Sequence, residues 1–249
     1  MKSGLVFILF WGLIAQIQAQ STAQSNLAIM SGDDWKRVMR GNQPITTTDN
    51  RGVELRGTPF VFDDWALGTL ILDDSVRTYG ENLLFKLDVE KSEVRFFEER
   101  RIERILDNNR ITGLELKHNG VVHVYKKMTL AEFPNALRFV EILSKGAEYT
   151  LVKYSKKVFA KANAVERGPV TVGQPYDSYD LTQGYYIVEK KNKSTKIKLN
   201  KSDIFKVATN IYRPKKAEID AFCKQNSISG TLDESQAVKL IAYLNKIYF

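Results

Sequence analysis

"ITGLELKHNGVVHVYKK", residues 111–127, decides the fold because it carries two apolar and polar alternating runs joined by Asn119-Gly120. Asn-Gly between two alternating runs is the strongest short-range signal of a β-hairpin, since both central residues of a type I′ turn need a positive φ. The stretch therefore predicts two antiparallel strands with a two-residue turn. It also predicts that His118 faces Val121 across the hairpin.

Short apolar runs separated by turn signals continue on both sides of this hairpin, from about residue 57 to residue 199. A turn signal every eight to twelve residues or so is typical of an antiparallel all-β domain. The other runs are "LGTLIL", "NLLFKLDV", "VRFFEE", "NALRFVEIL", "YTLVKYSKKVF", "GYYIVEKK" and "STKIKL". We therefore predict an antiparallel β domain over residues 57–199, folded as a sandwich or a partly open barrel.

The last fifty or so residues change to a helical period. Asn200 can cap a first helix, and Pro214 suits the first turn of a second one. Thr231 and Glu234 have the spacing of a capping box ahead of a third helix. We expect the helices of residues 200–249 to pack on the β domain, which makes the fold class α+β. The apolar face of the second helix holds Ile219, Phe222 and Cys223.

The first residues have the order of a secretory signal peptide, with Lys2, an apolar stretch from Leu5 to Ile14 and a short polar segment. The alternative, a retained membrane anchor, needs roughly 20 apolar residues, about twice the length of this stretch. We therefore expect residues 1–19 to be removed by cleavage between Ala19 and Gln20. The prediction is an exported protein, periplasmic or secreted, without a stable membrane anchor. Residues 20–56 form a polar leader with one short predicted helix at "SGDDWKRVMRG".

The composition limits the classes of partner that this protein can bind, but it does not identify one class. The chain of 249 residues carries a net charge of +8 and has a pI of about 9.3, so it is a basic protein that favours anionic surroundings. Its lysines are densest over residues 153–161 and 188–202, with few aromatic residues interleaved, and we predict no nucleic-acid partner. Cys223 is the single cysteine, so the chain can form no internal disulfide.

Two aspartate pairs, Asp63-Asp64 and Asp73-Asp74, flank an apolar run and raise the question of catalysis. The paired carboxylates of glycosidases lie about 5 to 9.5 Å apart, whereas ten residues of extended chain cover about 33 Å. We therefore interpret Asp73-Asp74 as an exposed turn and Asp63-Asp64 as the end of a strand containing "PFVF". Trp65 is expected to be largely buried. A partnership of Asp64 with an acid from elsewhere in the chain stays open.

The two histidines are the next candidates, because the predicted hairpin places His118 and His123 on one face, about 7–8 Å apart between backbones. A zinc site needs three or four ligands, and the remaining residues of that face supply none. These residues are Leu114, Leu116, Val121 and Tyr125. The chain also lacks the G-x-S-x-G, G-x-x-x-x-G-K and G-x-G-x-x-G patterns, and Cys223 is interpreted as a structural thiol. We predict no catalytic residue, no metal and no cofactor, and whether the protein is an enzyme stays open.

"GTPFVFDDWALGTLIL", residues 57–72, resembles a segment of a broad group of exported Bacteroidota proteins, with a G-x-P element, an aromatic residue, then glycine and a strand. The matching positions are Gly57, Pro59, Trp65 and Gly68. The later "FVEILSKGAEYTLVKYSKK" also resembles that group, in which a tyrosine-rich stretch follows, matched here by Tyr176, Tyr179, Tyr185 and Tyr186. The group has no assigned activity, so the resemblance implies export and a shared architecture, and no catalytic residues.

Export without a recognisable catalytic set favours a non-enzymatic binding or interaction protein with an envelope or extracellular partner. One alternative is a hydrolase of envelope or environmental polymers that uses a carboxylate such as Asp64. The other is a carrier that holds an apolar small molecule inside the β domain, as closed barrels can.

The signal-peptide prediction is tested by expressing the full chain in a Bacteroidota host and sequencing the N-terminus of the exported protein. We expect the exported chain to begin at Gln20. Leu9→Arg interrupts the apolar stretch and should leave the chain uncleaved inside the cell. An exported chain that still begins at Met1 would contradict the prediction.

Overall fold

The computed structural model describes residues 54–72, 76–77, 83–97, 103–107, 109–167 and 170–248. The predicted signal peptide, nearly all of the predicted leader and the Asp73-Asp74 pair lie outside these residues. Within them the chain forms a large, mainly antiparallel, open β-sheet followed by C-terminal helices. The predicted fold class is therefore confirmed.

Within the described ranges twelve strands form one sheet and two more form a separate hairpin. The strands are β1 Leu55–Arg56, β2 Ala66–Leu72, β3 Val76–Arg77, β4 Leu84–Asp88, β5 Glu93–Phe97, β6 Glu103–Ile105, β7 Ile111–His118, β8 Val121–Leu130, β9 Phe133–Ser144, β10 Tyr149–Ala160, β11 Val165–Arg167, β12 Val170–Val172, β13 Asp177–Glu189 and β14 Ser194–Ile197. The sheet order is β1-β13-β10-β9-β8-β7-β2-β4-β5-β6, with β3 beside β2 and β14 beside β13. The short β1 is parallel to β13, whereas the other pairs are antiparallel.

The hairpin of β7 and β8 is the one that the opening stretch predicts. Asn119 and Gly120 have φ values of 50° and 80°, and His118 lies opposite Val121. Leu116 lies opposite His123. Because paired residues project to the same side of a sheet, both histidines lie on one face, as expected.

The prediction of a strand at "PFVF" is wrong, because residues 57–65 form a series of bends. Pro59 has no N–H to donate to a ladder, and Gly57 has a φ of 77°, a left-handed value that turns the chain. An isolated bridge between Phe60 and Asp88 joins the backbone of this segment to β4.

Trp65 follows the bends and is only partly buried, less than expected. Its ring packs against Phe97, with 5.0 Å between ring centroids. The Lys86 ammonium lies 5.2 Å from the centroid of the Trp65 ring. Both contacts hold the partly buried indole against the β4–β5 pair.

Helices occupy the C-terminal segment, as predicted, and Asn200 caps the first one. They are α1 Lys201–Val207, α2 Thr209–Tyr212, α3 Lys216–Gln225 and α4 Glu234–Ile247. The capping box of α4 is formed by Asp233 and Gln236, so the prediction of Thr231 and Glu234 is wrong. Thr231 is held in an isolated bridge with Asn200, and the helix begins after it. Within the described ranges, none of the helices is long and apolar enough to cross a membrane.

One face of the sheet, here called the covered face, carries two apolar cores. At one end, side chains of β10 and β13 pack against α1 to α4, with Leu151, Ile187, Leu240 and Leu244 fully buried. At the other end the sheet curls, so that Ser92 in the β4–β5 turn accepts a hydrogen bond from the Phe139 N–H of β9. The curl encloses the second core, which includes Leu70, Phe85, Leu87, Val94, Leu114 and Leu116.

The opposite side of the sheet, here called the open face, has a smaller core and no helix packed on it among the described residues. Val140, Val152 and Tyr186 form this core with Leu130. The tip of the β8–β9 hairpin bends over it, where Glu132 accepts a hydrogen bond of 2.5 Å from the Tyr186 hydroxyl. The described residues leave a groove beside this core.

Asn245 of α4 joins the helices to the sheet. Its Oδ1 accepts hydrogen bonds from the N–H groups of Glu148 and Tyr149, at 3.1 and 2.9 Å. Its Nδ2 donates to the carbonyl oxygens of Tyr149 and Ile241, at 2.8 and 2.9 Å. A Cβ at Gly146 would lie 2.1 Å from Asn245 Cγ, so the turn between β9 and β10 leaves room for this amide only because residue 146 is glycine.

Asn245→Ala should lower the free energy of unfolding by about 1–3 kcal/mol, because it leaves partly buried backbone groups of the β9–β10 turn unsatisfied. Urea denaturation followed by circular dichroism measures the change. The matched control is Asn210→Ala on the exposed side of α2, which should leave stability unchanged. Equal losses in the two variants would contradict the role of Asn245.

Candidate functional site

A row of directly paired residues crosses the covered face and contains two charges. From β7 to β13 the row runs Leu114, Tyr125, Glu141, Lys153 and Tyr185. Paired residues project to the same face, so the row leads from the curled core to the core beneath the helices. Glu141 and Lys153 therefore lie where the two apolar cores meet.

Glu141 is the centre of a chain of ion pairs, here called the Glu141 network. Its Oε1 lies 2.7 Å from His123 Nδ1, and its Oε2 lies 3.0 Å from Lys153 Nζ. Lys153 Nζ also lies 3.2 Å from both carboxylate oxygens of Glu234 on α4. The Tyr185 hydroxyl donates a hydrogen bond of 2.6 Å to Glu234. Glu141 is only 9% exposed, so these contacts replace most of the water that its charge loses on folding.

Burial and neighbouring charges shift the pKa values of several side chains in and beside this network. Burial disfavours the charged form of Lys153, but Glu141 and then Glu234 outweigh it and raise the pKa of Lys153 above its ordinary value. Burial and the hydrogen bond to Glu234 raise the pKa of Tyr185 far above its ordinary value. Burial and the charge of Glu141 do the same to the pKa of Tyr125. At neutral pH the lysine is therefore a cation and both phenols are neutral.

The two histidines are joined by an aromatic ring. Phe62 stacks on His118, with centroids 4.1 Å apart and planes 10° from parallel. The same ring meets His123 edge-on, at 4.9 Å. Within the described ranges, no three His, Cys, Asp or Glu side chains are grouped closely enough to hold a metal ion. The segment of bends around Phe62 thus closes over the hairpin histidines.

The sequence did not predict Glu141 as the partner of His123, because the two strands of the hairpin carry no carboxylate on that face. The acid comes from β9, the next strand in the sheet, through a contact between residues 18 positions apart. A signal was present in the sequence. Glu141 alternates with Phe139 and Leu143 at positions that the pattern of β9 assigns to the core, and an acid at such a position needs a partner.

The aspartates of the first pair are both exposed. Asp63 accepts a hydrogen bond of 2.7 Å from the Thr58 hydroxyl and lies 3.7 Å from Lys157 Nζ. The Thr58 hydrogen bond, and then the positive charge of Lys157, outweigh slight burial and lower the pKa of Asp63. Asp64 makes no hydrogen bond or ion pair with the residues that the structure describes. Cys223 is buried on α3, where burial raises the pKa of its thiol.

The open face carries a groove of about 400 Å³, here called the open-face groove. Its floor is apolar, whereas its rim carries charges of both signs. The floor includes Ile71, Val124, Met128, Ile142 and Val188, and the rim includes Glu115, Lys126, Lys145, Glu148 and Lys190. A concave apolar surface with a few charged groups at its edge is the usual form of a ligand site, and its volume is in the usual range of about 300–1,000 Å³.

Comparison of the chain with protein-family models, curated proteins and solved structures found no match. The resemblance to exported Bacteroidota proteins therefore stays a prediction. Two of its positions have clear structural reasons to be glycine. Gly57 has a positive φ, and a Cβ at Gly68 would lie 2.7 Å from the Glu115 carbonyl oxygen and 2.9 Å from the Phe85 ring. The backbone conformation explains Gly57, and close packing explains Gly68.

Glu141→Gln removes the negative charge between His123 and Lys153. We expect the free energy of unfolding at neutral pH to fall by about 3 kcal/mol, at the lower end for a broken buried pair because Lys153 keeps Glu234. The matched control is Glu54→Gln, which breaks an exposed pair with Arg56 and should leave stability unchanged. Denaturation in urea compares the two variants, and equal stability would show that the network is not a stabilising element.

Proposed function

We propose that this protein is an exported, non-enzymatic binding protein of the cell envelope, and that the open-face groove is its binding surface. The observation that carries the proposal is the groove itself, with an apolar floor and a charged rim on the face that the described helices leave uncovered. The predicted export signal supports the location. Removal of residues 1–19 would take away Lys2 and lower the net charge from +8 to +7, which supports a partner in anionic surroundings.

The groove indicates what kind of partner segment it takes. Met128 in the floor is flexible and polarizable, so it adapts to apolar side chains of different shapes. At the rim, Lys126 and Lys145 alternate with Glu115 and Glu148, so a ligand of one uniform charge would meet repulsion as well as attraction. The arrangement suits a peptide segment of an envelope or extracellular protein that has apolar side chains between charges of both signs.

The structure favours a different candidate residue for the hydrolase alternative than Asp64. Asp64 is exposed, and no partner acid is joined to it by a hydrogen bond among the described residues. Among the described residues the contact that fits general acid–base chemistry is that of His123 with Glu141, in which a carboxylate orients an imidazole through Nδ1, as in hydrolytic triads. That carboxylate also binds Lys153, which favours a structural role for the pair.

The carrier alternative requires an enclosed apolar interior. The described sheet is open, and the cores on its covered face are filled by side chains that have no exposed surface, such as Phe85, Leu114 and Leu151. A surface groove is therefore the better candidate for binding than an interior cavity.

The binding proposal is tested with Val124→Arg, which places a cation in the groove floor. Val122→Arg is the matched control, because residue 122 lies on the same strand and face but outside the groove lining and is 57% exposed. The purified exported chain is immobilised and incubated with envelope extract, and bound proteins are quantified by mass spectrometry. We expect a set of envelope proteins to be enriched on the wild type and the control and lost on Val124→Arg, since a buried cation opposes an apolar contact.

Enrichment that is the same on all three baits would contradict the groove as the binding surface. No enrichment, together with turnover of an envelope polymer by the purified protein, would contradict the binding proposal as a whole. If His123→Gln then abolished that turnover, the hydrolase alternative would replace it. Circular dichroism of each variant shows that the fold is retained.

A further inference from the structure

One edge of β13 is paired only at its two ends. On its other edge, β13 pairs with β10 continuously from Ser178 to Glu189. On the edge in question, β1 pairs with Asp177 and Ser178, and β14 pairs with residues 185–188. Among the described residues, residues 179–184 have no partner strand there. This stretch is here called the β13 gap, and its six residues span about 20 Å at about 3.3 Å each.

The direction of the backbone groups in the β13 gap follows from the hydrogen bonds at its ends. The Asp177 N–H donates to the carbonyl oxygen of the residue before β1, and the Glu189 N–H donates to that of the residue before β14. Both therefore point away from β10. N–H groups alternate between the two edges of a strand, and the register of β13 with β10 has no shift. Leu181 and Gln183 thus direct both their N–H and their C=O groups into the gap.

The β13 gap lacks most of the features that keep an exposed strand edge from pairing. Proline, lysine and β-bulges are common among them, and residues 179–184 contain none of these. Leu181 is instead 55% exposed, and Phe159 on β10 is 36% exposed. Because Phe159 lies opposite Tyr179, its ring and the Leu181 side chain project to the same face of the sheet. They offer an apolar surface beside the unpaired backbone.

We infer that the β13 gap binds a short extended segment of a partner protein, which joins the sheet as an antiparallel strand. Another extended backbone satisfies unpaired N–H and C=O groups, and such main-chain pairing supplies the affinity in strand addition. An apolar side chain of the segment falls opposite Leu181. A cation falls opposite Asp180, whose exposed carboxylate accepts a hydrogen bond of 3.0 Å from the Ser178 hydroxyl and forms no ion pair with the described residues.

The two ends of the β13 gap limit the partner to a short segment. Gly57 follows β1 and lies against the gap, because a Cβ there would be 3.6 Å from the Tyr179 carbonyl oxygen. At the other end, β14 occupies the position opposite Tyr185. A second copy of β13, which has 13 residues, would run into β1 and β14. A strand that covers residues 180–184 alone fits between them.

The β13 gap is separate from the surface of the proposed function. None of residues 179–184 lines the open-face groove. Val124→Arg in the groove floor should therefore leave strand addition intact, and a change at Gln183 should leave binding to the groove intact. The failure of one proposal is thus distinguishable from the failure of the other.

Hydrogen exchange of the ¹⁵N-labelled exported chain, followed by nuclear magnetic resonance, tests whether the gap is open. In dilute protein alone, the N–H groups of Leu181 and Gln183 should exchange with deuterium much faster than those of Thr182 and Gly184, which point towards β10.

The binding probe is a blocked peptide of sequence Lys-Val-Thr-Val-Lys, with an acetyl group and an amide at its ends. Its valines fall opposite Leu181 and Gln183, and one of its lysines falls opposite Asp180. We expect saturable shifts of the Leu181 and Gln183 amide signals and slower exchange of both. The same peptide with both valine nitrogens methylated should not bind, because it lacks the N–H groups that an antiparallel strand donates to these two residues.

Gln183→Pro should weaken binding of the peptide by about tenfold or more, since it removes one N–H from the gap. Proline is tolerated at a strand edge where the N–H has no partner, so the fold should be retained. The matched control is Gln183→Thr. It also loses the side-chain hydrogen bond to Ser155 but keeps the backbone N–H, and it should change the affinity less than about twofold.

Slow exchange of Leu181 and Gln183 in dilute protein alone would show that the chain itself fills the gap. Slow exchange that appears only at high protein concentration would assign the gap to a second copy. Either result overturns the inference, as do equal binding of the two peptides, equal binding to the two variants, and absence of saturable binding. If circular dichroism shows that Gln183→Pro does not fold, the methylated peptide still decides, because it needs no substitution.

Discussion

The buried carboxylate of Glu141 lies between the two apolar cores of the covered face, and both cores depend on its charge being neutralised. His123 on one side and Lys153 on the other approach its two oxygens within 3.0 Å. Lys153 then reaches Glu234 at the start of α4, so the same set of contacts joins β8, β9, β10 and the last helix. An acid without these partners would cost several kcal/mol at this depth, on the order expected for an unpaired buried charge.

The covering of one face determines where a ligand can bind. Helices and the curled end of the sheet occupy the covered face, and the segment around Phe62 closes over the histidines, so Glu141 and Lys153 have little contact with solvent. On the open face, the tip of the β8–β9 hairpin is held across the sheet by Glu132. The open-face groove includes residues of β7 and β8 that the described helices leave uncovered.

Prediction from the sequence succeeded where a short segment carries its own signal. Asn119-Gly120 predicted the turn and register of its hairpin, and Asn200 predicted the start of α1. Prediction from the sequence failed where contacts with other segments determine the local structure. "PFVF" has the composition of a strand, yet Pro59 cannot donate to a ladder and the segment lies over the sheet instead. The box at Thr231 and Glu234 gave way to Asp233 and Gln236 because Thr231 is engaged by Asn200.

The sequence by itself determined the antiparallel strands of the main sheet and the C-terminal helices in outline, since alternation, turn residues and helix caps act over a few positions. It also determined that His118 and His123 share a face, because a two-residue turn sets the register of its own hairpin. Only the tertiary structure decided that Glu141 and Lys153 would join them and that Phe62 would cover them. Which residues meet depends on strand order and on the curl of the sheet, and these arise from the packing of whole faces, which no local pattern specifies.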